Sequence, residues 1–187
     1  MLIQGLPGTG KSACIALITR LLVSRGKRVL LTSYTHSAVD NLICKLIDSG
    51  MVHSFKSDEN ASDPIIRIGR ESSCHVNVRS LLAQTVACKT ERYYSGLSSL
   101  SIDIPNVEYL HKVVSAAKVV GVTALTAPRS SLLSGQHFDV VIVDEAGQIS
   151  QPAVLGAIMA ADSFILVGDH MQLPPLVVSE VAEQAGK

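Results

Sequence analysis

Residues 5–12 read Gly-Leu-Pro-Gly-Thr-Gly-Lys-Ser. They follow a short apolar run, Leu2-Ile3, and precede a segment of helical period, Ser12 to Ser24, which carries Ile15, Ile18, Leu21 and Leu22 on one face and has Gly26 as its stop. The G-x-x-x-x-G-K-[ST] string between a strand and a helix constrains the chain more than any other feature. A strand that turns tightly into a helix gathers several backbone N–H groups and the positive end of the helix dipole around one point, and such a point suits a phosphate. Gly5, Leu6, Pro7, Gly8, Thr9 and Gly10 are expected to wrap the phosphates of a nucleotide. Lys11 then reaches the β and γ phosphates, and Ser12 offers its hydroxyl to Mg²⁺.

Further apolar runs recur at Val29–Leu31, Ile65–Ile68, Val119–Val120, Val140–Val143 and Phe164–Val167. They are continuous rather than alternating, as in strands of a parallel sheet covered on both faces. Helical periods at Ala38–Asp48, Val78–Tyr93 and Asn106–Ala117 lie between them, with surface loops expected at Ser54–Asp63 and Ser95–Pro105. Strands alternating with helices predict an α/β fold, a doubly wound and mostly parallel sheet flanked by helices. Polar or glycine-rich clusters follow the runs: 5–12, 32–41, 121–126, 144–148 and 168–175. In a parallel sheet all five line the carboxyl edge, where open α/β sheets bind ligands.

Composition narrows the remaining choices. The 187 residues are 47% hydrophobic and 17% charged, with 16 Lys+Arg against 16 Asp+Glu, enough for one domain with a large core. The longest apolar candidate for a membrane span, Ala153–Val167, is interrupted by Asp162 and Ser163. Balanced charge gives no global basic field, so any nucleic acid must be held by a local strip. Cys14, Cys44, Cys74 and Cys88 form no C-x-x-C pair and read as structural thiols. With no secretory signal at the N-terminus, a reduced intracellular compartment is expected. The strand that starts at residue 2 without a lead-in, and the equally abrupt stretch 179–187, read as a chain cut from a larger one.

Asp144 follows the run Val140–Val143, at the strand end where a phosphate loop needs a carboxylate for the magnesium shell. Glu145 beside it is placed to orient and deprotonate an attacking water. No Asn-Lys-x-Asp string that would read guanine occurs, which points to ATP.

Four strings together carry a family resemblance: residues 5–12; Thr32-Ser33-Tyr34-Thr35-His36-Ser37-Ala38-Val39-Asp40-Asn41; Asp144-Glu145-Ala146-Gly147-Gln148-Ile149-Ser150-Gln151-Pro152; and Val167-Gly168-Asp169-His170-Met171-Gln172-Leu173-Pro174-Pro175. In order and spacing they resemble motifs I, Ia, II and III of superfamily-one helicases. Within that superfamily the chain most resembles the eukaryotic DNA replication helicase/nuclease family. The resemblance implies a RecA-like P-loop NTPase domain and an ATP-dependent 5′-to-3′ DNA helicase activity in replication and repair. It also implies ATP and Mg²⁺ as cofactors, single-stranded DNA as partner, and the nucleus, with the mitochondrion as a second compartment. Gln172 is similar to the family's γ-phosphate sensor, with Asp169 supporting it. Thr35 and His36 of motif Ia, and Thr123 in a motif Ic-like string, would touch phosphates of the strand. Capping of the next helix is the alternative reading for the threonines.

The departures shape the expected domain organisation. Residues 1–187 read as one RecA-like domain with motifs I, Ia, Ic, II and III and a helical and loop insertion around 51–115. The second RecA-like domain, with its arginine finger, and the nuclease domain are expected to be absent. Two alternatives stay open: a nucleotide-binding fragment with negligible turnover alone, or the equivalent domain of an up-frameshift-type RNA helicase.

Overall fold

The structure, a computed structural model, describes residues 1–51, 64–95, 104–175 and 179. Six strands form one sheet: β1 (Leu2–Gln4), β2 (Val29–Ser33), β3 (Ile65–Arg67), β4 (Val119–Thr123), β5 (Phe138–Val143) and β6 (Ala161–Gly168). Their order is β1-β6-β5-β2-β4-β3, and every pairing is parallel. Five helices connect them: α1 (Lys11–Ser24), α2 (His36–Asp48), α3 (Ala83–Ser95), α4 (Val107–Ala116) and α5 (Gln151–Ile158).

Chain direction explains the layers. From β1 through β2 to β3 the chain steps one way across the sheet, and from β3 back through β4 and β5 to β6 it steps the other way. Right-handed crossovers therefore put α1 and α2 on one face and α3, α4 and α5 on the opposite face. Packing follows. Leu31, Ile65, Val119 and Ile142 turn toward Ile15, Val39, Leu42 and Ile43 of α1 and α2. Their strand neighbours Leu30, Ile66, Val120 and Val141 turn toward Val86, Val113, Val114 and Val154 of the other layer. This two-sided burial is why the strands read as unbroken apolar runs. The described parts of the expected insertion, 64–95 and 104–115, supply β3, α3 and most of α4.

Helix starts follow local chemistry. Thr35 caps α2 by accepting from the Ala38 amide, and Asn106 caps α4 by accepting from that of Glu108. The helix expected at Val78–Tyr93 is broken: residues 76–81 form 3-10 turns and α3 starts only at Ala83. Leu82 is extended there and bridges to Arg67 in the sheet, so tertiary pairing overrides the helical period. α5 lies in the apolar stretch from residue 153, where uniform hydrophobicity hides a 3.6-residue period. The expected loop at Ser54–Asp63 lies outside the described residues, as does most of the one at Ser95–Pro105, although Ser95 itself belongs to α3. No helix among the described residues is long and apolar enough to cross a membrane.

Ile142 is fully buried in β5, whereas Leu17 on α1 is 57% exposed. Ile142→Ala is expected to destabilise the fold by about 2 to 5 kcal/mol, through lost transfer energy and a residual cavity. Leu17→Ala should stay within about 0.5 kcal/mol. Urea midpoints of the two variants check this, and equal losses would contradict the two-layer core.

Candidate active site

β1, β6 and β5 are neighbours, so the loops after them meet at one end of the sheet. The 5–12 loop is tied to its neighbour by the Gly5 amide, which donates to Gly168 O at 3.2 Å. Gly8 and Gly10 sit at φ +77° and +85°, a region costly for any residue with a Cβ, so the tight curl depends on both. Thr9 holds the curl by donating its hydroxyl to Leu6 O at 2.7 Å. Gly10 is the N-cap of α1 and offers no side-chain cap, leaving the helix's first amides directed at the loop. The Lys11 ammonium lies over the loop, donating to Gly5 O at 2.8 Å and Leu6 O at 3.2 Å.

Asp144 stands at the end of β5, buried to 5% exposure. Burial pushes its carboxyl above the usual carboxylate range, and the negative Glu145 adds to this. The Glu145 amide, bonded to Asp144 Oδ1 at 3.0 Å, and the positive Lys11 pull it back. Oδ2 of Asp144 carries no hydrogen bond among the described residues. Glu145 has φ 54°, the only non-glycine residue with positive φ among the described residues. That conformation costs on the order of 1 to 2 kcal/mol and is typical of strained functional turns.

The carboxylate of Glu145 is held by Gln148. Its amide Nε2 donates to Glu145 Oε2 at 3.1 Å and to Gln172 Oε1 at 3.2 Å. Gln172, after β6, is thus joined to Glu145 through one amide group. Two glycines allow this closeness. A Cβ on Gly147 would meet Asp169 O at 3.2 Å, and one on Gly168 would meet Gly147 N at 3.1 Å. Asp169 is buried, its Oδ1 accepting from the Met171 amide at 2.9 Å, while Oδ2 is buried with no partner among the described residues.

Thr35 and His36 follow β2, and Thr123 ends β4; these strands lie beyond β5, farther along the same edge. Both threonines already serve the fold. Thr35 Oγ1 accepts from Ala38 N at 3.2 Å, and Thr123, nearly buried, donates to Thr126 Oγ1 at 2.8 Å. His36 is half-buried, its Nδ1 3.0 Å from Arg67 Nη2.

Sequence reasoning missed Gln148, although it lies three residues beyond Glu145 on one turn. It also missed the ion pair of Arg67 and Asp40, whose signal was a lone charge within the apolar string Ile65-Ile66-Arg67-Ile68. None of the four cysteines is in a disulfide, and burial raises the Cys74 thiol to about 11. Among the described residues no three His, Cys, Asp or Glu gather as a metal cluster.

The family model described as an AAA domain matches residues 1–94 and 91–180. The DNA replication ATP-dependent helicase/nuclease JHS1 of Arabidopsis thaliana is 40% identical over 99% of this chain, which spans 12% of that protein. The DNA replication ATP-dependent helicase/nuclease DNA2 of Saccharomyces cerevisiae is 39% identical over 99% of this chain, which spans 10% of it. Among solved structures, the Arterivirus nonstructural protein 10 helicase, in complex with DNA, superimposes with a TM-score of 0.51 at 17% identity, over 94% of this chain and 30% of that one. That likeness shows the fold, the RecA-like arrangement expected from the sequence. The parallel sheet, the phosphate loop and the matches across nearly the whole length agree: the chain belongs to the AAA domain family and is a relative of the DNA replication ATP-dependent helicase/nucleases.

Proposed function

We propose that this chain is the ATP-binding motor domain of a superfamily-one DNA helicase, coupling ATP hydrolysis to 5′-to-3′ movement on single-stranded DNA in replication and repair, with the nucleus as its compartment. The observation that carries this reading is the hydrogen-bonded chain Glu145–Gln148–Gln172 beside the glycine loop. On this reading it joins Glu145, the base that activates the attacking water, to Gln172, the sensor of the terminal phosphate. The relatives' names favour DNA over RNA.

The residues fit a nucleotide with its cation. The uncapped start of α1 and the two positive-φ glycines form an anion cradle. Ser12 and Asp144 would hold Mg²⁺, and the buried carboxylate with a raised pKa and a free Oδ2 is a group whose desolvation a divalent cation offsets. Mg²⁺ commonly takes one or two protein ligands together with phosphate oxygens and waters, so a cluster of three protein carboxylates is not required. When bound, the ion neutralises charge on the phosphate oxygens.

The roles of the chain's own groups follow. Lys11 exchanges its contacts with Gly5 O and Leu6 O for phosphate oxygens. Glu145, kept in place by Gln148, accepts the proton of the attacking water. Gln172, positioned by the Asp169 turn, registers whether the terminal phosphate is present. Thr35, His36 and Thr123 line the portion of the edge where a single strand would lie. A reading as a nucleotide-binding fragment remains a second outcome, because the arginine finger of such motors, worth about 10³ to 10⁵ in rate, comes from a second domain.

Lys11→Ala should lower affinity for a non-hydrolysable ATP analogue roughly tenfold to a hundredfold by calorimetry, from the loss of charge-assisted bonds. Unchanged affinity would remove the phosphate-loop assignment. Glu145→Gln should keep that affinity and lower any phosphate release by about 10² to 10⁴. Asp144→Asn should instead weaken the Mg²⁺ dependence of binding. A raised folded-state pKa means the protonated form favours folding, so the Asp144 penalty appears as pH rises above the ordinary carboxylate value. Asp144→Asn should therefore raise the melting temperature at neutral pH without nucleotide, by a margin that shrinks toward pH 4. Identical behaviour of the two carboxylate variants would contradict their separate roles. The purified 187-residue chain should show no strand displacement on a 5′-tailed duplex. Displacement abolished by Lys11→Ala would show that the chain alone carries a complete motor.

A further inference from the structure

Arg67 is among the largest fully buried side chains, 1% exposed, although β3 is an edge strand. Its guanidinium makes three contacts. Nε donates to Asp40 Oδ1 at 2.7 Å, Nη1 donates to the carbonyl of Ile68, and Nη2 lies 3.0 Å from His36 Nδ1. Asp40, also 1% exposed, gives its other oxygen to the His75 amide at 2.7 Å. The backbone passes close to the guanidinium: a Cβ on Gly69 would meet Nη1 at 3.1 Å. A buried ion pair is seldom the most stable filling for such a space, since apolar residues of similar volume often serve as well or better. Stability alone therefore does not account for it. Among the described residues, the pair's side-chain contact toward the carboxyl edge of the sheet is the one to His36.

Arginine has donors only, so the Nδ1 that faces it must be the lone-pair nitrogen and the ring proton sits on Nε2. Nε2 lies across the ring from the buried arginine and has no partner among the described residues. Asp40, one turn along α2, fixes Arg67, and Arg67 fixes the ring. We infer that Arg67 is a positioning residue, holding His36 as a neutral Nε2–H donor aimed at a phosphate oxygen of a single strand, so that the contact is a directed hydrogen bond and not an ionic one. The charges around the ring agree with the geometry. Partial burial and Arg67, with a smaller push from Arg70, keep His36 neutral to lower pH than an ordinary histidine, against the opposing pull of Asp40.

This inference rests on the strand-binding reading above, and its test separates the two. Long-range ¹H–¹⁵N spectra of the 187-residue chain should show His36 as the Nε2–H tautomer, staying neutral to lower pH than an ordinary histidine. Oligo-dT binding, read by fluorescence anisotropy, should weaken about threefold to tenfold in His36→Ala with the salt slope unchanged. Loss of a charged contact would lower that slope by about 0.7 for a single strand. Arg67→Lys keeps a positive charge against Asp40 and lacks the second donor nitrogen. The double variant Arg67→Met/Asp40→Leu removes the pair without stranding either charge. In both, His36 should sample both tautomers and titrate nearer its ordinary value, with oligo-dT binding that is weaker at pH 7.5 and tightens as pH falls to 6. A parent His36 in the Nδ1–H form or titrating like an exposed histidine overturns the inference, as does unchanged affinity in His36→Ala. A chain that binds no oligonucleotide overturns the strand-binding reading and this inference with it. A chain that binds and depends on His36, but whose folded Arg67 variants keep the parent tautomer and pH profile, overturns this inference alone.

Discussion

The hydrogen bonds between β1 and β6 join residues 2–4 to residues 166–168 in parallel register, and the remaining geometry of the nucleotide end depends on that pairing. A parallel partner places the carboxyl ends of both strands together, so the glycine loop that leaves β1 and the Asp169 turn that leaves β6 start side by side. An antiparallel β1 would have carried the loop to the opposite edge with its sequence intact and its chemistry lost. The pairing joins the two ends of the described chain, whose loop-closure entropy only the extensive core beneath offsets.

Close backbone approach then sets what the loops are able to do. Gly147 and Gly168 let the Glu145 turn and the Asp169 turn touch without intervening side chains, which brings Gln148 within reach of two partners at once. One primary amide with two N–H donors serves a carboxylate and a carbonyl together. Movement of Gln172 therefore alters the restraint on Glu145 directly. The positive φ of Glu145 belongs to the same economy of space: the chain must reverse within one residue of the strand end, and the strain is borne where the carboxylate has to stand.

The sheet and the glycine loop were legible in the sequence because both are local signals: continuous apolar runs and a fixed spacing of glycines around Lys11. The same holds for Asp144 and Glu145, which follow their strand without a gap. What escaped was everything decided across distance. The break at Leu82 comes from pairing with Arg67, α5 is hidden in uniformly apolar sequence, and the partners Asp40 and Arg67 lie 27 positions apart. The threonines show the converse limit. Thr35 and Thr123 stand where the motifs put them, yet their hydroxyls are engaged in a helix cap and a turn, and no spacing rule separates a capping threonine from one facing a ligand.

β2 is the physical link between the nucleotide end and the strand end of the edge. Its last residues accept on both sides: Thr32 O from the Asp144 amide and Ser33 O from the Ala124 amide, each at 2.9 Å. Two peptide groups thus separate the carboxylate turn from the turn that holds Thr123. With Thr32 and Ser33 fully buried, this link has little room to move. A stiff link transmits position but not state, since coupling needs an element with two discrete conformations. On the proposed reading, a signal of nucleotide state would run through side chains rather than through this link. Lys11 is held only by two loop carbonyls, and Gln148 and Gln172 by bonds that each could remake elsewhere. The sheet keeps the two ends in register, and on the proposed reading these side chains would carry whatever changes when a terminal phosphate leaves.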